Sequence, residues 1–536
     1  MRQAVARARP AALRLPVPLV VFLGAALLLG VPELCGWLAS PAGTVWTGSR
    51  DVVNYPTYLA KMIWGAAGHW AYPDTLTPEA THPAPVYLPY LLLGHLQAWL
   101  GGSPAGWFQG ARILLAAAAA ALWFAYCRWK WPGLRGTLSF WMGLFAFPAG
   151  WELLTPLGQR FAAYDWWPGG HAADVLATFP HYGLMGLALV GVLWLGERAR
   201  AGAAWAWAPA CAGEAVLAST YPWLCPLPLL APWCGVRTGE EARRLGRFTL
   251  LAGAGALPYG LVLLLALRHI SWLQAWRLQS VMPAGPLPVV LGLSYGLSGP
   301  LAVAGTVLAA LRRDRSAAEM AGWAACAIVA SYVVPIPNAR EMTVLLSLPL
   351  GALAAGAVQA GYDRLRGLPR AAWTVGLAVL LATGPALILS PLVGGALHPL
   401  DQPAAARQAI RYVAAADPGA VVLADPGTSL WVPAWSGDTL RPYLAHPQET
   451  LDYAQRQAAA QTFWLDLSPA GRAAWLQAQG IHWVIWSEAL LDPVRQVGLR
   501  GWSRWPTAAD AQVAGAQVVW HVGGVTVWHV GRPPSL

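Results

Sequence analysis

Residues 13–38 read LRLPVPLVVFLGAALLLGVPELCGWL, and residues 49–70 read SRDVVNYPTYLAKMIWGAAGHW. The first stretch is almost purely apolar. The second presents Arg50, Asp51, Asn54, Lys61 and His69 among aromatic residues. The apolar run is longer than the core of a signal peptide and has no clean small-x-small cleavage site, so it reads as a retained first membrane helix. The polar stretch then emerges directly on the far side of the bilayer.

Composition extends that reading to the whole chain. Of 536 residues, 57% are hydrophobic and 11% charged, against about 25% charged in a soluble globular protein. Several long apolar runs carry the excess, as in a polytopic α-helical membrane protein. The 32 tryptophans gather near span ends, among them Trp123, Trp129, Trp131, Trp166 and Trp167, as in an interfacial belt. The formal net charge is +10, yet residues 401–536 hold 9 Arg against 10 Asp and Glu. The positive excess lies in short loops between apolar runs, and no Arg/aromatic stripe suited to nucleic acid occurs. The six cysteines all precede residue 327 and form no C-x-x-C pair, so they read as small apolar residues within helices.

The basic clusters mark topology. They centre on Arg2–Arg14, Arg128–Arg135, Arg198–Arg200, Arg237–Arg247, Arg312–Arg315 and Arg364–Arg370. Placing all six on the cytoplasmic side predicts spans near 14–38, 108–128, 136–150, 181–197, 203–220, 222–236, 248–267, 285–311, 318–334, 341–360 and 371–393, about eleven crossings. The N-terminus is then cytoplasmic and the tail extracytoplasmic, in a cytoplasmic membrane. The run HPAPVYLPYLLLGHLQAWL (82–100) is apolar enough to cross, but a crossing there would invert every later cluster, so it reads as an interfacial or re-entrant segment. Residues 1–398 form the membrane domain, with long outer loops at 39–107 and 151–180 and a third outer turn, VPIPNAREM (334–342). Residues 399–536 change character: AVVLAD (420–425) and IHWVIWSE (481–488) read as buried strands, ETLDYAQRQAAAQTFWLDL and PAGRAAWLQAQG as helices, and AQVVWHVGGVTVWHV as a hairpin, together a small α/β domain. It holds no phosphate loop, nucleotide fingerprint or G-x-S-x-G, so no nucleotide cofactor is expected.

Ionisable groups are costly near a membrane core, so their grouping on one side is informative. The first outer loop holds Asp51, Lys61, His69, Asp74, Glu79 and His82; the second holds or adjoins Glu152, Arg160, Asp165, His171, Asp174 and His181; the third holds Arg340 and Glu341. Pro56 suits a first helical turn, and a helix from about Tyr55 to Gly65 aligns Tyr55, Tyr58 and Met62, with Asp51 ahead of its positive end. By spacing alone, Asp51 reads as a helix-entry or turn residue, Asp174 as a cap, and Arg340 as an interface anchor or a partner of Glu341. His69, His171 and His181 read as interfacial polar residues.

The order of these features resembles the GT-C class of polyprenyl-phosphate-dependent glycosyltransferases, in the branch of the protein mannosyltransferases and the aminoarabinose transferases of lipid A. The resemblance is carried by Asp51 after the first span, by NYPTYLAKM, by GHW (68–70), by Glu79, by HPAPVYLPYLLLGHL, by Asp174 in HAADVLATF, by Arg340 in PNAREMTVLLSLPLGALAAGA, and by WVPAWSGDTLRPYLAHPQETLDY in the tail. It departs from that pattern where Val52 stands in place of a second acid and where Ala84 separates Pro83 from Pro85. The resemblance implies an inverting cell-envelope enzyme that moves a sugar from a polyprenyl-phosphate donor to a lipid, glycan or protein acceptor. It implies Asp51 as general base and Arg340 and Lys61 as ligands of the lipid phosphate. Tyr55, Tyr58, Glu79, His82 and Asp174 would position donor or acceptor. It leaves open a divalent metal, with Asp51, Glu79, His82 and Asp174 as the candidate ligands. A transporter or flippase is the competing class, as is a scaffold that binds a glycolipid without catalysis. Transporters concentrate charge at the bilayer midplane in repeated halves, whereas these acids lie in loops and no repeat is apparent.

Overall fold

The structure is a computed structural model that describes residues 16–48, 53–145, 172–279, 295, 297–333, 339–393, 401–488, 502, 504–507 and 510–531. Asp51 lies outside these residues, as do most of the second outer loop and residues 334–338. The side chains of Asp174 and Arg340 are likewise outside the description.

Helix follows the apolar runs. In chain order the described helices used below are α1 (Val17–Leu38), α2 (Asn54–Ala66), α3 (Leu88–Leu100), α4 (Pro104–Lys130), α5 (Leu134–Phe145), α6 (Ala172–Thr178), α7 (Pro180–Arg200), α8 (Trp207–Thr220), α9 (Gly239–Gly253), α10 (Leu257–His269), α11 (Ser271–Gln279), α12 (Ser298–Arg312), α13 (Arg315–Val333), α14 (Ser347–Arg364) and α15 (Gly367–Val393). By length and composition α1, α4 and α13 are long and apolar enough to cross a membrane, and α9 with α10, bent by 49°, would make a fourth span. Val17, Val20, Leu23, Leu27 and Leu34 of α1 stay exposed, the surface that a lipid-facing helix presents. The expected span at 222–236 is not one helix. It breaks into a 3-10 turn (Pro222–Leu224), a short helix (Pro226–Leu230) and a second 3-10 turn (Ala231–Gly235). The cause is the series Pro222, Pro226, Pro228 and Pro232, each of which removes a donor and crowds the preceding turn.

Inside the bundle, polar groups are spent on one another. Glu33 of α1 is buried and pairs with Arg112 of α4 at 2.6 Å, and Gln109 accepts from the Arg112 Nε at 2.7 Å. At the far end of α4 and α7, Lys130 bridges Glu197 and Glu319, and Arg200 also meets Glu319. These buried clusters tie α1, α4, α7 and α13 together, each charge compensated by a neighbour as a low-dielectric interior requires.

The run 82–100 becomes α3, of 13 residues, which spans about 20 Å at 1.5 Å per residue and falls short of a bilayer core of about 30 Å. It lies against α2 instead. A Cβ on Gly65 would overlap the Leu91 carbonyl, and one on Gly94 would overlap the Met62 carbonyl. The two glycines therefore let the backbones touch, as small residues do at tight helix crossings.

The tail contains a five-stranded sheet in the order β4-β3-β5-β7-β6, built from β3 (Val421–Ala424), β4 (Arg441–Pro442), β5 (Trp483–Ser487), β6 (Ala516–Val522) and β7 (Val525–Val530). Strands β3, β4 and β5 run parallel, and β7 pairs antiparallel with β5 and β6. Val484 and Ile485 of β5 are fully buried. Helices α16 (Ala404–Ala416), α17 (Tyr453–Leu465) and α18 (Pro469–Gln479) accompany the sheet. The tail starts against the membrane helices: β1 (Thr44–Val45) pairs antiparallel with β2 (Gln402–Pro403), and the Ser40 hydroxyl donates to Asp401 at 2.9 Å. The exit of α1 and the entry to the tail are thus one point.

Gly94→Val is expected to force α2 and α3 apart at a cost of about 1–3 kcal/mol. Thermal unfolding in detergent should show the loss, while Leu92→Val on the exposed side of α3 should leave the midpoint unchanged.

Candidate active site

Helix α2 forms close to its expected bounds. Pro56 sits in its first turn, and the Thr57 hydroxyl donates back to the Asn54 carbonyl at 2.9 Å. Its first residues face the tail segment His446–Thr450. Asn54 Oδ1 and His446 Nε2 are 3.1 Å apart. Lys61, one of the chain's two lysines, is completely buried and donates to both Glu449 oxygens at 3.0 and 2.9 Å and to Thr57 at 3.3 Å. Its ammonium lies 4.0 Å from the centre of the Tyr87 ring and 5.1 and 5.4 Å from those of Tyr58 and Tyr72. Tyr87 also donates to Glu449 at 3.3 Å. The Thr450 hydroxyl completes the latch by donating to the Leu76 carbonyl at 2.7 Å.

Beside this latch a cavity of about 160 Å³ opens where several segments meet, α10 and α11 among them. Asn54 and Tyr58 come from α2, Tyr87 and Tyr90 from the start of α3, His181 from the start of α7, Ser219 to Trp223 from the end of α8 onward, Glu341 from the turn Ala339–Thr343, and Gln448 and Glu449 from the tail. Its wall is aromatic: Tyr58 stacks on Tyr90 at 4.2 Å, and His181 stacks on Tyr221 at 5.7 Å. Tyr90 bonds the His181 Nδ1, the Tyr221 hydroxyl donates to that of Tyr182 at 3.2 Å, and Trp223 donates to Glu341 at 3.3 Å. Such a basin offers ring faces to a sugar and a few fixed polar atoms to orient it.

Of the residues expected to form a site, Tyr58 lines this cavity, and Asn54 and Glu341 place the neighbours of Asp51 and Arg340 at its edge. Four expectations require correction. Tyr55 does not line the cavity: its ring packs on Phe108 at 4.7 Å and Trp431 at 5.8 Å in the core, because i and i+3 on α2 straddle a helix edge here. Lys61 is not free for a lipid phosphate, since Glu449 neutralises it in a buried site. Glu79 is held by Thr77 and by Arg456 of the tail, and Arg441 donates to its carbonyl. His82 is exposed, and its carbonyl accepts from Trp272 at 2.8 Å. With its carboxylate engaged by Thr77 and Arg456, Glu79 does not fit a metal shared with His82. Among the described residues no group of three His, Cys, Asp or Glu is placed to hold a metal ion. Tyr87, Tyr90, His181, Tyr221 and Glu449 were not foreseen as site residues. The lysine in the middle of the apolar helix α2 was the available signal for Glu449, because a cation placed there demands a partner.

Two further acids lie close to Lys61, Asp74 fully buried and Asp438 half-buried. The Thr75 hydroxyl donates to Asp438 at 3.0 Å, and the Leu76 amide donates to Asp74 at 2.9 Å, while the second oxygen of each carboxyl has no hydrogen-bond partner. Burial pushes Asp438 up to about 8, and burial together with the negative charge of Glu449 holds Asp74 well above the usual carboxylate range.

No family model matches the sequence, and no curated protein matches it. Solved structures do. The oligosaccharyltransferase AglB of Archaeoglobus fulgidus, in a complex with an inhibitory peptide and a dolichol-phosphate, superposes with a TM-score of 0.53 at 12% identity, over 88% of this chain and 69% of that one. The arabinofuranosyltransferase AftD from Mycobacteria superposes with a TM-score of 0.57 at 17% identity over 95% of this chain. This chain spans 42% of the length of AftD. ArnT from Cupriavidus metallidurans covers 95% of this chain and 97% of its own at 14% identity, with a TM-score of 0.48 that is too low to carry weight. The chain has the GT-C fold of membrane glycosyltransferases.

Removing one partner of the Lys61–Glu449 pair leaves a buried charge, so Lys61→Met or Glu449→Leu should cost about 3–5 kcal/mol. The double variant should recover part of that loss, as read by thermal unfolding and by protease release of the tail. For Asp438 the folded value of about 8 exceeds the ordinary 3.8, so the folded state binds the extra proton. Its contribution is complete below about pH 4 and is lost as pH rises through about 8. The unfolding temperature should therefore fall across that window, and Asp438→Asn, which keeps the Thr75 bond, should flatten the slope.

Proposed function

We propose that the protein transfers a sugar from a polyprenyl-phosphate donor to an acceptor hydroxyl on the side of the membrane that carries the tail. The observation that carries this reading is the meeting of Asn54 and Glu341 in one aromatic cavity. Asp51 stands three residues before Asn54 and Arg340 next to Glu341 along the chain. The GT-C fold supports membrane glycosyl transfer, and the dolichol-phosphate bound by AglB supports a lipid-phosphate donor.

The chemistry follows from the residue types. The Asp51 carboxylate takes the proton of the acceptor hydroxyl. The acceptor oxygen bonds the anomeric carbon from the face opposite the phosphate, the anomeric carbon–oxygen bond to phosphate breaks, and the configuration inverts. The transition state resembles an oxocarbenium ion, with negative charge growing on the leaving polyprenyl phosphate. The Arg340 guanidinium stabilises that charge. Tyr58, Tyr90 and Tyr221 supply faces against which the sugar lies, and Asp174 orients the reacting groups from α6. The acceptor is a lipid, a glycan or a protein.

Purified protein supplied with a radiolabelled polyprenyl-phosphate sugar and envelope acceptors should transfer label. Asp51→Asn should lower the rate by about 10²–10⁴, and Arg340→Ala by about 10²–10³, both with unchanged unfolding temperatures. Wild-type transfer by the Asp51→Asn protein would remove Asp51 from the mechanism.

A further inference from the structure

A second cavity lies across α2 from the first. Tyr58 faces the aromatic basin, while Leu59 and Ile63 face a separate space of about 320 Å³. This space is walled by Trp46 after β1, by Ser103 at the start of α4, by Arg407 and Arg411 of α16, and by Trp431 and Trp435.

Its charge is one-sided. Arg407 and Arg411 stand one turn apart on the same face of α16, so their guanidinium groups are neighbours. Among the described residues neither pairs with a carboxylate, and the buried Nε of Arg407 has no hydrogen-bond partner. Burial and the charge of Arg411 both hold the Arg407 guanidinium below its usual range. The acids that flank the pair along the chain are engaged elsewhere: Asp401 accepts from Ser40 and Thr44, and Asp417 accepts from Trp483. Among the described residues the lining contains no Asp or Glu, and the positive end of the 27-residue helix α4 adds to the same sign. Arg407 is half-buried and Arg411 exposed; the two repel weakly, and a phosphate between them would fit both guanidinium forks.

Position identifies the source of that phosphate. The cavity lies where α1 and α4, two helices able to span a membrane, reach the tail. Trp99 and Leu100, 80% and 61% exposed, end α3 as an apolar surface a few residues before Ser103. Trp431 and Trp435 stack at 4.7 Å beside the arginines. An apolar rim, tryptophans and paired cations at the end of membrane spans are what the headgroup zone of a lipid meets.

We propose that this cavity, distinct from the glycosyl-transfer site, binds the phosphate-bearing headgroup of an anionic lipid through Arg407 and Arg411. The test uses full-length protein in nanodiscs that contain either phosphatidylglycerol or phosphatidylcholine with a photoreactive group on the headgroup. Phosphatidylglycerol should label the peptides containing Trp46, Ser103 or Trp435, and phosphatidylcholine should not. Arg407→Gln/Arg411→Gln, which relieves a like-charge contact and should fold, is expected to reduce that labelling by about tenfold. Inorganic phosphate at millimolar concentration should compete if the phosphate group itself is recognised, and failure to compete assigns recognition to the lipid as a whole. Equal labelling by the two lipids, or unchanged labelling of the double variant, would overturn the proposal.

Discussion

The structure turns on one buried ion pair. Lys61 lies in the middle of α2, under the rings of Tyr58, Tyr72 and Tyr87, and its only carboxylate partner among the described residues is Glu449 of the tail. Taking both charges out of water is expensive, and the cost is offset only while the geometry holds. Thr57, Tyr87 and the aromatic faces supply the remaining contacts. The pair therefore acts as a register mark. It sets which tail residues stand beside α2, and the neighbouring contacts His446–Asn54 and Thr450–Leu76 follow from it.

That register makes α2 a partition between two spaces. One side carries Tyr58 and the aromatic basin, which receives Glu341 from a turn far along the chain and Glu449 from the tail. The other side carries Leu59 and Ile63 and the arginine-lined space. Tyr55, between them, is spent on packing against Phe108 and Trp431. The close crossing of α2 with α3 at Gly65 and Gly94 keeps the partition stiff, because neither helix can shift without backbone overlap.

Much of the helical layout was legible in the sequence, and the reasons are local. The run 13–38 becomes α1, with Pro32 inside it, and 108–128 lies within α4, because a long apolar stretch has few alternatives to helix in a membrane. The interruption at 222–236 was legible in principle, as four prolines in eleven residues state it, yet hydropathy averages over them. For the site, spacing along α2 suggested that Tyr55 and Tyr58 act together, whereas packing separates them. The resemblance implied Glu79 as a site residue, although its polar turn alone did not. Arg456, recruited from the tail, takes it instead.

By itself the sequence determined the membrane class of the protein, the helical bounds of α1, α2 and α4, and the β-hairpin that ends the tail. Each of these depends on neighbours within a few turns of chain, through hydrophobic period, proline position and the Gly523-Gly524 turn. Only the tertiary structure decided which charged residues are spent on holding the protein together and which line open space. Lys61 and Arg112 carry the same charge as Arg407 and Arg411, but the first two meet carboxylates brought from remote segments, and the last two meet none among the described residues. An ion pair forms between side chains that folding places within a few ångströms, and no local pattern records that distance.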